Sequence, residues 1–361
     1  MLPRLLVLIG SGELAPQMTG GYRSIARLLA GDRGRIGDVS AAIVDTPYGF
    51  QSNADALGKT LVDHFGRRVG MNAALASLRR SDIDPVARAA AYERIRKSDF
   101  VFSGPGSPSY AVRTWAESDV PGLFADKLQH GGALVLASAA AMAIGRLTVP
   151  VYEIYKVGQD PHWLPGLDVL SVAGIAAAVV PHWDNAEGPG HDTRYAFLGE
   201  QRLWDMERQM PDDVFILGID EHTALMVDLD AGTASVVGRG DVTLRHQGSE
   251  TIFASGSEMP LARLGQRSPA PAAAVNVNSE DDASATLARR LLELEGRVAA
   301  LTGRAALAQD LVEALLDLRA TARSSGDYAL ADAIRDRLTA LGVEISDYAH
   351  GSDARLPRLQ D

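Results

Sequence analysis

Residues 131–145, GGALVLASAAAMAIG, constrain the fold more than any other stretch of the chain. A run of small and aliphatic residues reads as a buried strand and meets one hydroxyl, at Ser138, after which Ala and Gly dominate. Small residues at this point let the chain turn sharply from strand into helix, with room for backbone to pass close behind. A serine on such a turn exposes its hydroxyl at the strand's carboxyl end, facing the N–H groups that open the next helix. The same letters also fit an ordinary apolar strand that contains a serine.

The surrounding pattern favours the first reading. Strand candidates at 5–9, 41–44, 72–76, 100–102, 133–136 and 177–180 alternate with helical stretches near 20–30, 52–67, 85–97, 109–129 and 139–145. Such alternation predicts an α/β fold, a mostly parallel sheet with helices on both faces. Ligand sites in such sheets gather at the carboxyl ends of the strands. After a further helix over about 192–209, the segments VFILGI, TALMVDL, ASVVGR, VTLRH and TIFASG read as antiparallel strands that finish the sheet. Residues 266–284, QRSPAPAAAVNVNSEDDAS, lose all periodicity. The expected division is therefore a domain over 1–260, a flexible linker over 261–284 and a small all-α module over 285–361.

Composition narrows the chemistry. The formal charge is −11, which argues against broad binding to nucleic acid or to an anionic membrane. With no cysteine, thiolate nucleophiles, disulfides and thiolate metal sites are excluded. MLPRLLVLIG is too short for a signal-peptide core and reads as a first buried strand, and no stretch approaches a membrane span. A cytoplasmic protein is expected. GSGE at residues 10–13 lacks the third glycine of a dinucleotide fingerprint, and no cofactor is expected. His182, Asp184, His191 and Asp192 could bind metal, but they sit in one loop without tight ligand spacing, and no metal is expected. Trp183 and Tyr195 fit either a pocket wall or ordinary packing.

A serine nucleophile needs a base within hydrogen-bond reach and a third group that orients the base. His182 ends an apolar strand 44 residues after Ser138, and Glu153 lies 15 residues after it in TVPVYEIYKVG. Either could instead be a surface residue. SDFVFSGPGSPSYAV, residues 98–112, reads as a strand, a Gly-rich turn and a helix start. Pro105 has no N–H, so an oxyanion donor there would be Gly106 or Ser107, paired with the Ala139 N–H. The glycines equally suit a tight turn.

Order and spacing resemble the cyanophycinase and aspartyl dipeptidase family, serine peptidases on a class I glutamine-amidotransferase-like fold. The likeness covers roughly residues 3–255. It implies Ser138 as nucleophile, Glu153 as acid, His182 as base, and Gly106 and Ala139 as oxyanion donors. GIDEHTALMVD, residues 218–228, resembles a stretch found late in that domain. The family's Ser-Ala-Gly is Ser138-Ala139-Ala140 here, and Arg194 is the nearest counterpart of an arginine that helps hold an acidic substrate.

The C-terminal residues ARSSGDYALADAIRDRLTALGVEISDYAHGS resemble the tail of cysteinyl-tRNA synthetases, with paired helices and an extended hairpin. The synthetase's catalytic motifs are absent, so aminoacylation is not expected. From Glu280 onward 10 Arg face 15 acids, a net of −5, which favours a helix-pair or homodimer module over RNA binding. The expected activity is a serine hydrolase of a small peptide or amide bond. The alternative is an inactive binding or regulatory protein on a hydrolase scaffold, whose tail docks RNA or a protein.

Overall fold

The computed structural model describes residues 2–188, 190–264, 335, 338, 344–348 and 351–355. The chain divides into two compact units, Met1–Ala270 and Pro271–Asp361. In the first, five parallel strands are β1 (Arg4–Ile9), β2 (Ser40–Val44), β3 (Asn72–Ala76), β4 (Phe100–Ser103) and β5 (Gly132–Ala137), in the spatial order β1-β5-β4-β2-β3.

Each strand is nearly all apolar because both faces are covered. Alternate residues of β1 and β5 enter different cores. Leu6, Leu8, Leu134 and Leu136 join one, while Leu5, Val7, Ile9, Ala133, Val135 and Ala137 join the other. The helix Pro16–Ala30 buries Tyr22, Ile25 and Leu29 against the second set. The helix Val120–His130 buries Leu123, Phe124 and Leu128 against the first.

The expected single sheet is two. Beyond β1 the first sheet continues antiparallel through Thr223–Asp228, Thr233–Gly238 and Glu258–Pro260. The second has six strands in the order Ser249–Phe253, Val242–His246, Phe215–Ile219, Ala177–Val180, Leu147–Thr148, Leu164–Pro165. Ala177–Val180 pairs parallel with Phe215–Ile219 and not with β1–β5. The fold is thus mixed α/β, and the late strands are shared between two sheets.

Three helices also differ from expectation. The stretch 109–129 breaks into Pro108–Ala116 and Val120–His130, because Pro121 has no N–H to donate and its ring would clash with the carbonyl four residues back, so it is tolerated only in the first turn of a new helix. The helix expected from 192 begins only at Gly199. Leu261–Leu264 forms a short 3-10 turn that buries Leu264, so the expected linker starts inside the first unit.

The rest of the linker, 265–284, and the C-terminal helices lie outside the described residues. What is described there includes two antiparallel strands, Glu344–Tyr348 and Gly351–Arg355. The module is therefore not all-α. Two residues separate these strands, and β-branched Ile345 and aromatic Tyr348 suit a strand better than a helix. Among the described residues no helix is long and apolar enough to cross a membrane.

Candidate active site

Ser138 follows β5 directly, and the helix Ala139–Ala143 starts one residue later. Its φ is +50°, a left-handed conformation that costs an L residue roughly 1–3 kcal/mol and persists only where its surroundings impose it. They do so here. β1 lies beside β5 with Ile9 next to Ala137, and the Ser138 N–H donates to the Ile9 carbonyl at 3.0 Å. Ala139 to Ala143 are all buried, and Ala140 sits in the core without exposure.

His182 leaves the Ala177–Val180 strand, and its φ is +51°. The two sheets meet at this point. A Cβ on Gly10, just past β1, would lie 2.0 Å from the Asp220 carbonyl oxygen, so only glycine allows the approach. The same Cβ would lie 2.6 Å from the carbonyl oxygen of Ile219, the last residue of the second sheet's Phe215–Ile219 strand. The ends of β1 and β5 are thereby brought against the ends of the second sheet. Ser138 Oγ lies 2.9 Å from His182 Nε2.

The carboxylate on the other ring nitrogen is Glu221 and not the expected Glu153. His182 Nδ1 lies 2.9 Å from Glu221 Oε1, and Asn185 Nδ2 reaches the same oxygen at 3.4 Å. Register explains the encounter. Val180 lies beside Gly218 in a parallel pair, so His182 and Glu221 emerge together from neighbouring strand ends. Glu153 sits in the short helix Val151–Tyr155, where its Oε2 accepts from Ser109 Oγ at 2.8 Å.

The hydrogen bond from His182 holds the Glu221 carboxyl below the ordinary glutamate range, although burial opposes the shift. An ionised carboxylate only accepts. Glu221 therefore fixes the tautomer with hydrogen on Nδ1, which leaves the Nε2 lone pair facing the Ser138 hydroxyl. His182 and Glu221 are 23% and 26% exposed, open enough for a small molecule to reach them.

Two further acids lie close by. Asp184 Oδ1 accepts the Glu221 N–H at 2.7 Å, and burial pushes the Asp184 carboxyl up. Burial also pushes up Glu13, in the loop after β1, while the imidazoles of His182 and His222 pull it back.

The Gly-rich turn follows β4, whose Ser103 lies beside Leu136 of β5, so the turn runs alongside Ser138. Gly106 has a φ of +150°, and a Cβ there would sit 2.0 Å from the Pro47 carbonyl oxygen. The Ser107 N–H is spent on that same oxygen at 2.8 Å. Among the described residues neither the Gly106 nor the Ala139 N–H has a hydrogen-bond partner.

Arg194 is not held ready for an acidic substrate. Its Nε and Nη2 clasp Asp192 at 2.9 and 2.8 Å, and its Nη1 donates to Tyr195 Oη at 3.0 Å. The four residues with metal-binding groups each have other partners. His182 serves Ser138 and Glu221, Asp184 the Glu221 amide, Asp192 the arginine, and His191 faces Tyr155.

Trp183 and Tyr195 pack on each other with ring centroids 4.3 Å apart, and both are buried. Sequence reading missed Glu221, although it lies within the GIDEHTALMVD stretch already singled out. An acid two residues beyond a strand was the available signal.

No family model matches the chain. In fold the chain is similar to a peptidase from an acI-B1 Actinobacterium. The TM-score is 0.56 and the identity 20%, over 72% of this chain and 97% of that one. The chain is also similar to cysteine–tRNA ligases from three organisms. It is 39% identical to that of Halobacterium salinarum over 74 residues, 50% to that of Salinibacter ruber over 44, and 40% to that of Pseudomonas fluorescens over 90. It spans only 15%, 8% and 19% of those ligases' lengths. These matches support the resemblance read in the C-terminal part.

Proposed function

We propose that the chain is a serine hydrolase that cleaves an amide bond of a small peptide through Ser138, His182 and Glu221. The observation that carries this reading is the unbroken line of contacts from Ser138 Oγ through both ring nitrogens of His182 to Glu221, each 2.9 Å long. The strained turn under the serine supports it, since strain of this kind clusters at reactive groups. Similarity in fold to a peptidase is consistent with it.

In this mechanism Ser138 Oγ bonds the substrate's carbonyl carbon while its proton passes to His182 Nε2. The carbonyl oxygen becomes an oxyanion and accepts from the Gly106 and Ala139 N–H groups. Glu221 keeps its hydrogen bond from Nδ1 and offsets the imidazolium charge. His182 then gives the proton to the departing amine, which breaks the C–N bond and leaves an acyl-serine. Water, deprotonated by the same imidazole, releases the acid and restores the hydroxyl.

Glu153 has no part in this relay. The likeness to cysteine–tRNA ligases brings no aminoacylation with it, because the chain matches less than a fifth of their length. We propose a protein-interaction role for that part, with pairing of two copies as its simplest form.

Purified full-length protein incubated with a dipeptide and tripeptide library tests the hydrolase reading. Mass spectrometry would show loss of at least one peptide with the parent and none with Ser138→Ala. Equal turnover by the two proteins would remove Ser138 from the reaction, and no turnover by a well-folded parent would favour the inactive binding protein.

A further inference from the structure

The loop after His182 is built in an unusual way. Tyr195, Ala196 and Phe197 have φ values of +60°, +54° and +67°, three successive L residues in the left-handed region. None is a glycine or asparagine, the residues that tolerate it best. This turn grips the histidine segment. The Ala196 N–H donates to the His182 carbonyl at 3.2 Å, and the Tyr195 N–H donates to the Trp183 carbonyl at 3.0 Å. His182 is itself left-handed, so its backbone depends on such outside support.

A chain of charged groups holds the turn in place. Asp192 accepts from the backbone of both Arg194 and Glu200, at 3.1 and 2.9 Å, besides the guanidinium of Arg194. Tyr195 Oη donates to Glu200 Oε2 at 2.9 Å. The other oxygen of Glu200 accepts from Arg245 Nη1 at 3.1 Å. Arg245 is buried on the Val242–His246 strand and is anchored further by Glu207 and Glu250 at 3.0 Å each. Among the described residues, none of Asp192, Arg194, Glu200 and Arg245 bonds a side chain of Ser138, His182 or Glu221.

We propose that Glu200 is a positioning residue. It ties the buried Arg245 to Tyr195 and so imposes the left-handed turn that sets the His182 ring between Ser138 and Glu221. The proposal rests on the triad reading for its catalytic consequence, but the placement of the ring can be read separately.

The test uses the full-length protein and three variants, Glu200→Gln, Glu200→Asp and Glu250→Gln. The last removes an Arg245 partner that makes no hydrogen bond to the turn. Two quantities are read. One is the rate at which a fluorophosphonate labels Ser138 between pH 5 and 9. The other is the proton NMR resonance of His182 Nδ1–H, assigned by its loss in His182→Ala.

Glu200→Gln is expected to slow labelling about ten- to a hundredfold, to displace the pH profile and to move or broaden the Nδ1–H signal. Glu200→Asp keeps the charge and recovers part of both, and Glu250→Gln stays within about twofold of the parent. If Glu200→Gln leaves both readouts where the parent has them, or moves them no further than Glu250→Gln does, the proposal is overturned. If the parent is never labelled yet Glu200→Gln still moves the resonance, positioning stands and the hydrolase reading falls.

Discussion

The two halves of the candidate site are held by opposite kinds of force. Around Ser138 every residue from Ala139 to Ala143 is buried and apolar, and the strained turn is imposed by close packing against β1. Around His182 the loop exposes Ala186, Glu187 and Arg194, and hydrogen bonds and ion pairs hold its turns. Packing acts over contact distance and ignores salt. Ion pairs between half-exposed groups are weaker and are screened. Ser138 is therefore expected to be sensitive to volume and His182 to charge.

Substitutions that exchange the two kinds of insult test that contrast. The largest effect is expected from His182→Ala, which removes the proposed base without disturbing a core. Phosphonate labelling of Ser138 should fall by about 10³-fold or more while the melting temperature moves little.

Ala140→Leu is the converse. Three added carbons in a filled core cost about 1–3 kcal/mol, which should lower the melting temperature by roughly 3–10 °C in differential scanning calorimetry. An unchanged melting temperature would mean that the serine turn is not fixed by packing.

Salt should divide the halves more gently. Raising sodium chloride from 0.05 to 1 M shortens the screening length to about 3 Å and should slow labelling of the parent by roughly two- to fivefold. The same change should leave the melting penalty of Ala140→Leu intact.

The smallest effect concerns Glu13. Its carboxyl is pushed up by burial, so the folded chain holds that proton more tightly than the unfolded chain. Stability from this group is present at acid pH and is lost as pH rises from the ordinary glutamate range through the raised value. Glu13→Gln should melt about 1–3 °C above the parent at pH 8, and the gap should close by pH 4.

Much of the fold was legible because buried parallel strands are written as unbroken apolar runs. The strand expected over 177–180 and the helix over 85–97 match Ala177–Val180 and Pro85–Lys97. The meeting of Ser138 with His182 was legible only in part: both follow apolar strands, but those strands lie in different sheets, and the close approach at Gly10 brings their ends together.

The carboxylate beside His182 was not legible, because nearness along the chain favoured Glu153, whereas sheet register decides the partner. Only the pairing of Val180 with Gly218 brings Glu221 forward. Division into two sheets was hidden as well, because nothing in TALMVDL or VTLRH says which neighbour each will pair with. The left-handed turn at Tyr195–Phe197 left no local signal at all. Its residue types do not ask for positive φ, and the ion network that imposes it is assembled from positions 192 to 250.

The account turns on which carboxylate completes the line through the histidine. The most direct measurement is the second-order rate of fluorophosphonate labelling at Ser138 in Glu221→Gln and Glu153→Gln, side by side with the parent. Glu221→Gln is expected to slow labelling by about 10³- to 10⁴-fold and Glu153→Gln by less than about threefold. Equal rates for the two variants, or the larger loss in Glu153→Gln, would contradict it.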